Sequence, residues 1–300
     1  MTLFGRRTAL ANQSRPLNLQ SYYPLWFYVP AGVIYGLMFL LPTFASLYFS
    51  LTRWTLFNQE FIGFENFVEF FNEPFLLKGL VNTFIFGFST SAGKVIVGMG
   101  LAVLLTSNIY MRGLLRSVVF FPVLVSTIGI GITFNVLMDP QDGVINAALA
   151  IVGIDGPHWL TSPKMAIYSV ALVEIWRGVG LATLILIAGL MAIPDDFYEA
   201  ARLDGASAWH QFWRITVPLS RPAIATVLTL SLIDGLRTFD LVWAMTRGGP
   251  GFSSDVLASV IYKQYQAGFY GLSTAGNVIL FMVIALVALP IVAFLNREER

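Results

Sequence analysis

No cysteine occurs in the 300 residues, which excludes disulfides and thiolate metal sites. Charge is also scarce: Asp, Glu, Lys and Arg make up 12% of the chain, about half the roughly 25% of an ordinary soluble domain. The formal net charge of +1 leaves no electrostatic footprint for nucleic acid. Only His158 and His210 can supply imidazole; they make neither a zinc pair nor a nucleophile's base. No hydrolytic or redox centre emerges, so the chain is expected not to be an enzyme and to bind no metal or cofactor of its own. What is abundant is apolar surface, at 56% of residues with a mean hydropathy of +0.72. Most of the surface must face something other than water, which defines an integral membrane protein.

A helix needs about 20 apolar residues to cross a hydrocarbon core of roughly 30 Å. Six stretches qualify: about 25 to 51, 80 to 106, 116 to 138, 165 to 191, 222 to 246 and 271 to 295. The fold class is therefore all-α, a six-helix transmembrane domain over 21–300 preceded by a tail over 1–20. That tail has Arg6, Arg7 and Arg15 without the short apolar core and cleavage site of a secretory signal, so it is expected to be retained. One set of loops and termini carries ten Lys and Arg, against five in the other set. The positive-inside rule then puts both termini and the stretch 195–218 in the cytoplasm, with 52–79, 139–164 and 247–270 outside. The outer acids, Asp255 among them, are expected to be solvated. Gly32 and Gly36 form a small-xxx-small pair that permits close helix approach.

Between the fourth and fifth spans lies Asp195 to Pro218, DDFYEAARLDGASAWHQFWRITVP. It is too polar to cross a bilayer and too regular for a slack loop. Asp196 three residues before Glu199 predicts a capping box, Phe197 to Leu203 a short helix, and Gly205 its left-handed stop. Ser207 opens a second helix with Trp209, Phe212 and Trp213 as its apolar stripe, which Pro218 and Pro222 are expected to end. The prediction is a folded knob held outside the membrane, offering a docking surface.

A charge at the centre of a span costs roughly 2.5 to 3.5 kcal/mol even on lenient insertion scales. This chain nevertheless places Lys94 in the second span, Glu174 and Arg177 in the fourth, and Asp234, Arg237 and Asp240 in the fifth. Asp234, Arg237 and Asp240 are spaced by three, as are Glu174 and Arg177, so each set is expected to share a face and pair locally. Two readings stand side by side: buried pairs that pin helices together, or faces lining a polar route. On the second, Trp176, Phe239 and Trp243 offer flat amphipathic surfaces to an uncharged polar solute. Gly87 to Val95, GFSTSAGKV, fails as a phosphate-cradling loop, since its spacing is wrong and no Ser or Thr follows Lys94.

The string EAARLDGASAWHQFWRITVP resembles the cytoplasmic "EAA" loop of permease subunits in bacterial binding-protein-dependent ABC importers. Glu199, Ala200, Ala201, Gly205, Ile215 and Pro218 fill its positions, and Asp204 completes the Asp-Gly pair usual in the carbohydrate branch. TFDLVWAMTRGGPGFSS from Thr238 is similar to the segment after the fifth core helix in one of the two permeases of carbohydrate uptake systems of the maltose and glycerol-3-phosphate importer type. NTFIFG from Asn82 and RSVVFFPVLV from Arg116 also resemble that family. The likeness covers most of the chain beyond residue 20; Arg247, where many members have Gly, departs from it.

The resemblance implies a type I importer permease in the bacterial inner membrane, transporting a sugar or oligosaccharide. Its implied partners are a second permease subunit, two ATPase subunits that bind ATP and magnesium, and an extracytoplasmic solute-binding protein. The short coupling helix would seat in a cleft of the ATPase with Glu199 facing it, transmitting nucleotide-driven closure as rigid-body movement of the spans. A different class remains open, a self-sufficient ion-coupled secondary transporter using Asp234, Glu174 or Lys94. That class predicts internal repeats, and residues 1–150 and 151–300 show no convincing match.

Overall fold

The computed structural model describes residues 25–55 and 57–295; the tail expected over 1–20 lies outside them. By contacts the chain divides into Met1–Ala45 and Ser46–Arg300. Helix α1, Trp26–Phe49, is apolar along its 24 residues, as expected of a helix that crosses a membrane. A Cβ on Gly32 or Gly36 would meet nothing within 4 Å, so the small-residue pair makes no close approach among the described residues.

Within the second unit, strands β1, Thr52–Trp54, and β2, Gln59–Phe61, pair antiparallel with Arg53 opposite Glu60. They lead into α2, Glu65–Asn72. Asn66 fixes that helix to the hairpin by donating to the carbonyls of Ser50 and Thr52, both at 2.8 Å. Pro74, at the first position where a missing N–H costs nothing, opens α3, Pro74–Thr106. Its 33 residues reach about 50 Å at 1.5 Å per residue, well beyond the apolar core it crosses.

Helix α4, Arg112–Phe120, continues as a tight turn over Phe121–Leu124, and α5, Thr127–Leu137, follows at a bend of 98°. The expected straight span over 116–138 is therefore broken. The cause is local: Pro122 removes a donor in the last turn, and Val125 and Ser126 leave helical geometry with ψ of 143° and 129°. After α5, Asp139 accepts from the N–H groups of Gln141 and Asp142, each at 2.9 Å. These two bonds hold its carboxyl below the ordinary carboxylate value. Helix α6, Val144–Ile151, leads to α7, Ala166–Met191.

Next come α8, Asp195–Leu203, and α9, Ala208–Leu219, and then α10, Arg221–Leu236, bent by 69° from α9. Helix α10 stops at Leu236, ten residues before the expected end of the fifth span at 246, and a separate short helix α11, Asp240–Met245, follows. Helices α12, Leu257–Gln266, and α13, Tyr270–Leu295, are the last elements of the described residues. Among the described residues four helices are long and apolar enough to cross a membrane unbroken, and the number reaches six if each of the two bent pairs is one span.

The core is built around α3, which packs between α7 and α10. A Cβ on Gly235 would stand 2.9 Å from the Cα of Gly87, and one on Gly98 would stand 3.3 Å from Ala182 Cβ. Glycine at these crossings lets the backbones approach closely, as packing in lipid requires. Met99, Ala102 and Leu105 of α3 bury with Ala182, Leu186 and Val227 at one end of the bundle. Phe86 buries with Val170, Val173, Leu241 and Met245 toward the other. A third cluster, Phe70, Leu76, Leu257, Val260 and Ile279, seats α12 and α13.

Candidate functional site

The hairpin between α7 and α10 is folded by its own side chains. Helix α8 starts at Asp195 with Pro194 as N-cap, and no side chain caps it, so the expected Asp196–Glu199 capping box does not form. Asp195 and Asp196 lie instead in the first turn, where the macrodipole favours their charge. Gly205 ends the arm at φ +76°, the left-handed position glycine adopts without steric cost. Ser207 caps α9 by accepting from the N–H of His210 at 3.3 Å.

This second arm ends at Leu219, between Pro218 and Pro222 as expected. A π-helical turn over Phe212–Thr216 precedes the proline, shifting the bonding register upstream of the residue that has no N–H to donate. Tyr198 Oη meets Thr216 Oγ1 at 3.0 Å, tying the two arms, and the turn between them is fastened to both, Ala206 donating its N–H to the carbonyl of Ala201 at 2.9 Å and accepting at its own carbonyl from Gln211 at 2.8 Å. Between the arms and the ends of α3 and α7 lies a cavity of about 650 Å³ reached by Thr106, Asp195, Arg202 and Gln211.

Of the expected docking residues, Glu199, Ala200, Asp204, Gly205 and Pro218 are exposed, and Ala201 and Ile215 are half-buried. Trp209 packs edge-on against Trp213 with ring centres 5.6 Å apart. Leu203 is 90% exposed at the tip, and Phe197, Trp209 and Trp213 are exposed too. A folded element that presents so many large apolar groups beside acids carries the signature of a protein contact. Leu203 was not singled out in the sequence, where it reads as one more apolar helix position.

The span charges pair differently from expectation. Glu174 and Arg177 do form the local pair, with Arg177 Nε 2.9 Å from Glu174 Oε2 and Nη2 2.8 Å from Oε1. Asp234, however, has no ion pair with Arg237 among the described residues. Its Oδ2 lies 3.1 Å from Lys94 Nζ and 3.6 Å from Arg177 Nη2. Arg237 falls at the C-cap of α10 and Asp240 opens α11 after a break at Thr238 and Phe239, so the expected three-residue spacing along one helix is interrupted. Lys94 Nζ is also 2.7 Å from Glu174 Oε1. The quartet joins α3, α7 and α10 and balances two cations against two anions.

Glu174 and Lys94 are almost wholly buried, with side chains 2% and 4% exposed, whereas Asp234 is 56% exposed. Asp234 also lines, with Arg177, Gly178 and Ser231, a cavity of about 290 Å³. On the other side of the quartet along the chain, Phe239 stacks on Trp243 at 5.6 Å. Both rings meet Tyr262 of α12 edge-on, at 5.2 and 4.9 Å. Trp176 is exposed and tilts against Phe134 at 5.2 Å. Tyr262 had no signal in the sequence, because it joins this cluster only when α12 folds back across α11.

The segment after α11 is pinned from several directions. Asn82 donates to the carbonyls of Ser253 and Asp255 at 2.9 and 2.8 Å, and Thr83 Oγ1 accepts from the N–H of Leu257 at 2.7 Å. Asp255 is fully buried and pairs with Lys263 at 2.6 Å, which corrects the expectation that it is solvated. Its carboxylate fills the space beside Gly248, whose φ of +85° suits only glycine. Arg247 adopts φ +50°, so the position where it departs from the resembled family is one whose backbone favours glycine.

A bundle of apolar helices carrying a folded polar hairpin between two spans and a charge cluster within them defines a membrane transport component. Residues 94–300 match the family described as "Binding-protein-dependent transport system inner membrane component". The chain belongs to that family. It is 31% identical to the trehalose/maltose transport system permease protein MalF of Thermococcus litoralis, over 85% of this chain and 88% of that protein. It is 34% identical to the sulfoquinovosyl glycerol transport system permease protein SmoG of Agrobacterium fabrum, over 78% and 77%. A bacterial ABC transporter for import of the acidic polysaccharide alginate includes a chain with TM-score 0.78 and 26% identity, covering 94% of this chain and 96% of that one.

The fold is accordingly that of type I importer permeases, and the protein is a multi-pass inner-membrane permease subunit of an ABC importer. ATP hydrolysis resides in a separate subunit. This membership sets aside the self-sufficient ion-coupled carrier.

Proposed function

We propose that this permease carries a carbohydrate from an extracytoplasmic solute-binding protein to the cytoplasm, as one of two permease subunits served by two ATPase subunits that hold ATP and magnesium. The relatives support the solute class: their names specify trehalose and maltose, sulfoquinovosyl glycerol, and alginate. A structure of the alginate transporter in complex with an alginate pentasaccharide-bound periplasmic protein supports the binding protein as a partner, its matching chain having TM-score 0.77 to this one. On the positive-inside count both termini and the hairpin are cytoplasmic.

The observation that carries this reading is the hairpin itself. Its arms are tied to each other, its ends run into α7 and α10, and Glu199, Leu203, Asp204 and Trp209 are exposed. Such an element moves as a unit with the spans when an ATPase cleft grips it. Glu199, Ala200, Ala201, Asp204, Gly205, Ile215 and Pro218 form the coupling segment. Along the route, Asp234, Arg237 and Asp240 offer hydrogen-bonding groups to sugar hydroxyls beside Glu174 and Arg177, and Trp176, Phe239 and Trp243 supply ring faces for the apolar side of a pyranose.

Uptake and ATP hydrolysis measured together in a reconstituted importer test both parts. Glu199→Ala is expected to lower uptake per ATP while the subunit remains in the membrane. Arg237→Ala with Asp240→Ala is expected to raise the solute concentration needed for half-maximal transport. Wild-type coupling in the first and wild-type uptake in the second would contradict the respective assignments.

A further inference from the structure

Lys94 touches both spans that carry the ends of the hairpin. Its ammonium lies 2.7 Å from Glu174 of α7 and 3.1 Å from Asp234 of α10. Helix α7 enters the hairpin just after Met191, and α10 leaves it at Arg221. The lysine itself belongs to α3, along which both spans pack. We propose that Lys94 is a positioning residue that makes α7 and α10 move together, so that displacement of the hairpin reaches the solute route. This rests on the reading of the hairpin as the element driven by the ATPase.

The slot for this side chain is built. Glu174, Arg177 and Gly178 occupy one face of α7 at spacings of three and four, and the absence of a side chain at Gly178 is what admits the lysine. A Cβ there would lie 2.7 Å from Nζ and 3.2 Å from Cδ. Burying ions is a poor route to stability, because desolvation offsets most of their attraction and apolar residues of equal volume often do as well. What an ionic junction adds is register: the three donors of the ammonium reach Glu174 and Asp234 together only from this slot, and sliding α10 along α7 would leave Lys94 or Asp234 unmatched. The arrangement is asymmetric as well. Glu174 is held by Lys94 at 2.7 Å and by Arg177 at 2.8 Å, whereas Asp234, partly open to the cavity, is held by Lys94 at 3.1 Å and by Arg177 only at 3.6 Å, so the Lys94–Asp234 contact is the closer of the two that register α10.

The test is a charge-balanced double variant in the reconstituted importer. Lys94→Met alone leaves an excess buried carboxylate, but Lys94→Met with Asp234→Asn keeps the Glu174–Arg177 pair and restores neutrality. If Lys94 only balances charge, the double variant regains wild-type uptake per ATP, and the proposal fails. If it ties the spans, the double variant assembles yet uptake per ATP stays at least about fivefold down, the low end of coupling between sites. The loss is expected in the maximal rate, with the half-saturating concentration of loaded binding protein unchanged; a change confined to half-saturation would mean a solute contact and overturn the proposal. Gly178→Ala, which displaces the ammonium without altering charge, is expected to produce the same split, and wild-type coupling in that variant would also overturn it. Gly205→Pro run in parallel separates the two readings. Normal coupling there removes the hairpin's role, whereas normal coupling only in the Lys94 variants removes the junction.

Discussion

Tyr198 Oη and Thr216 Oγ1 meet at 3.0 Å across the two arms of the hairpin, and Thr216 is buried where they meet. One arm follows α7 and the other precedes α10, so this bond closes a loop in which both spans and both arms are linked. A neutral hydrogen bond of this kind contributes about 1 kcal/mol. Tyr198→Phe keeps the ring and removes only the bond. The expected outcome is faster amide exchange over 195–217, with uptake per ATP reduced a few-fold, about the factor of 5 that 1 kcal/mol represents. Unaltered exchange would show that the arms are held by packing alone.

Gly205 stands at φ +76° with no neighbour within 4 Å of a would-be Cβ. Space is therefore ample, and strain alone decides the outcome. Gly205→Ala is expected to cost about 1 to 2 kcal/mol of local stability, whereas Gly205→Pro, whose ring fixes φ near −65°, cannot adopt the turn and should abolish coupling. Equal coupling in the two variants would contradict this account of the turn.

Arg247 occupies left-handed backbone at φ +50°, which costs an ordinary residue roughly 1 to 2 kcal/mol. Arg247→Gly relieves that strain, partly offset by the freer unfolded chain, and is expected to leave thermal stability equal or raised. Arg247→Val, β-branched in the same backbone, is expected to lower it. Thermal unfolding in detergent ranks the three.

Asp255 is fully buried and its compensating cation is Lys263, at 2.6 Å. Removing one member of such a pair strands the other, typically at about 3 to 5 kcal/mol. Lys263→Met is expected to destabilise by that order and to free the 246–257 segment for proteolysis. Lys263→Met with Asp255→Asn should recover much of the loss, which a thermal scan of both variants would show.

Much of this was legible in the sequence for physical reasons. Gly205 and Ser207 punctuate the hairpin by local geometry alone, and four spans declare themselves by apolar length. What local rules could not supply was which distant groups meet. The Asp234–Arg237 spacing suggested pairing along one helix, but α10 ends at Leu236 and Lys94, 140 positions earlier, takes the carboxylate instead. The break in the third crossing and the π turn over Phe212–Thr216 were hidden because each is a backbone adjustment, extended Val125 and Ser126 in the one and a shifted bonding register in the other, that composition does not display. Asp255 looked like any loop acid until Lys263 and Gly248 were folded around it. Tyr262 joined the aromatic cluster only through the return of α12.

The central claim, that the hairpin is moved by a separate nucleotide-hydrolysing subunit, is tested most directly by solute accumulation in proteoliposomes holding this chain and its partner permease, with and without the ATPase subunits. With loaded binding protein on the outside and ATP within, accumulation is expected only when the ATPase subunits are present. Accumulation of comparable extent in their absence, driven by an imposed ion gradient, would contradict the account.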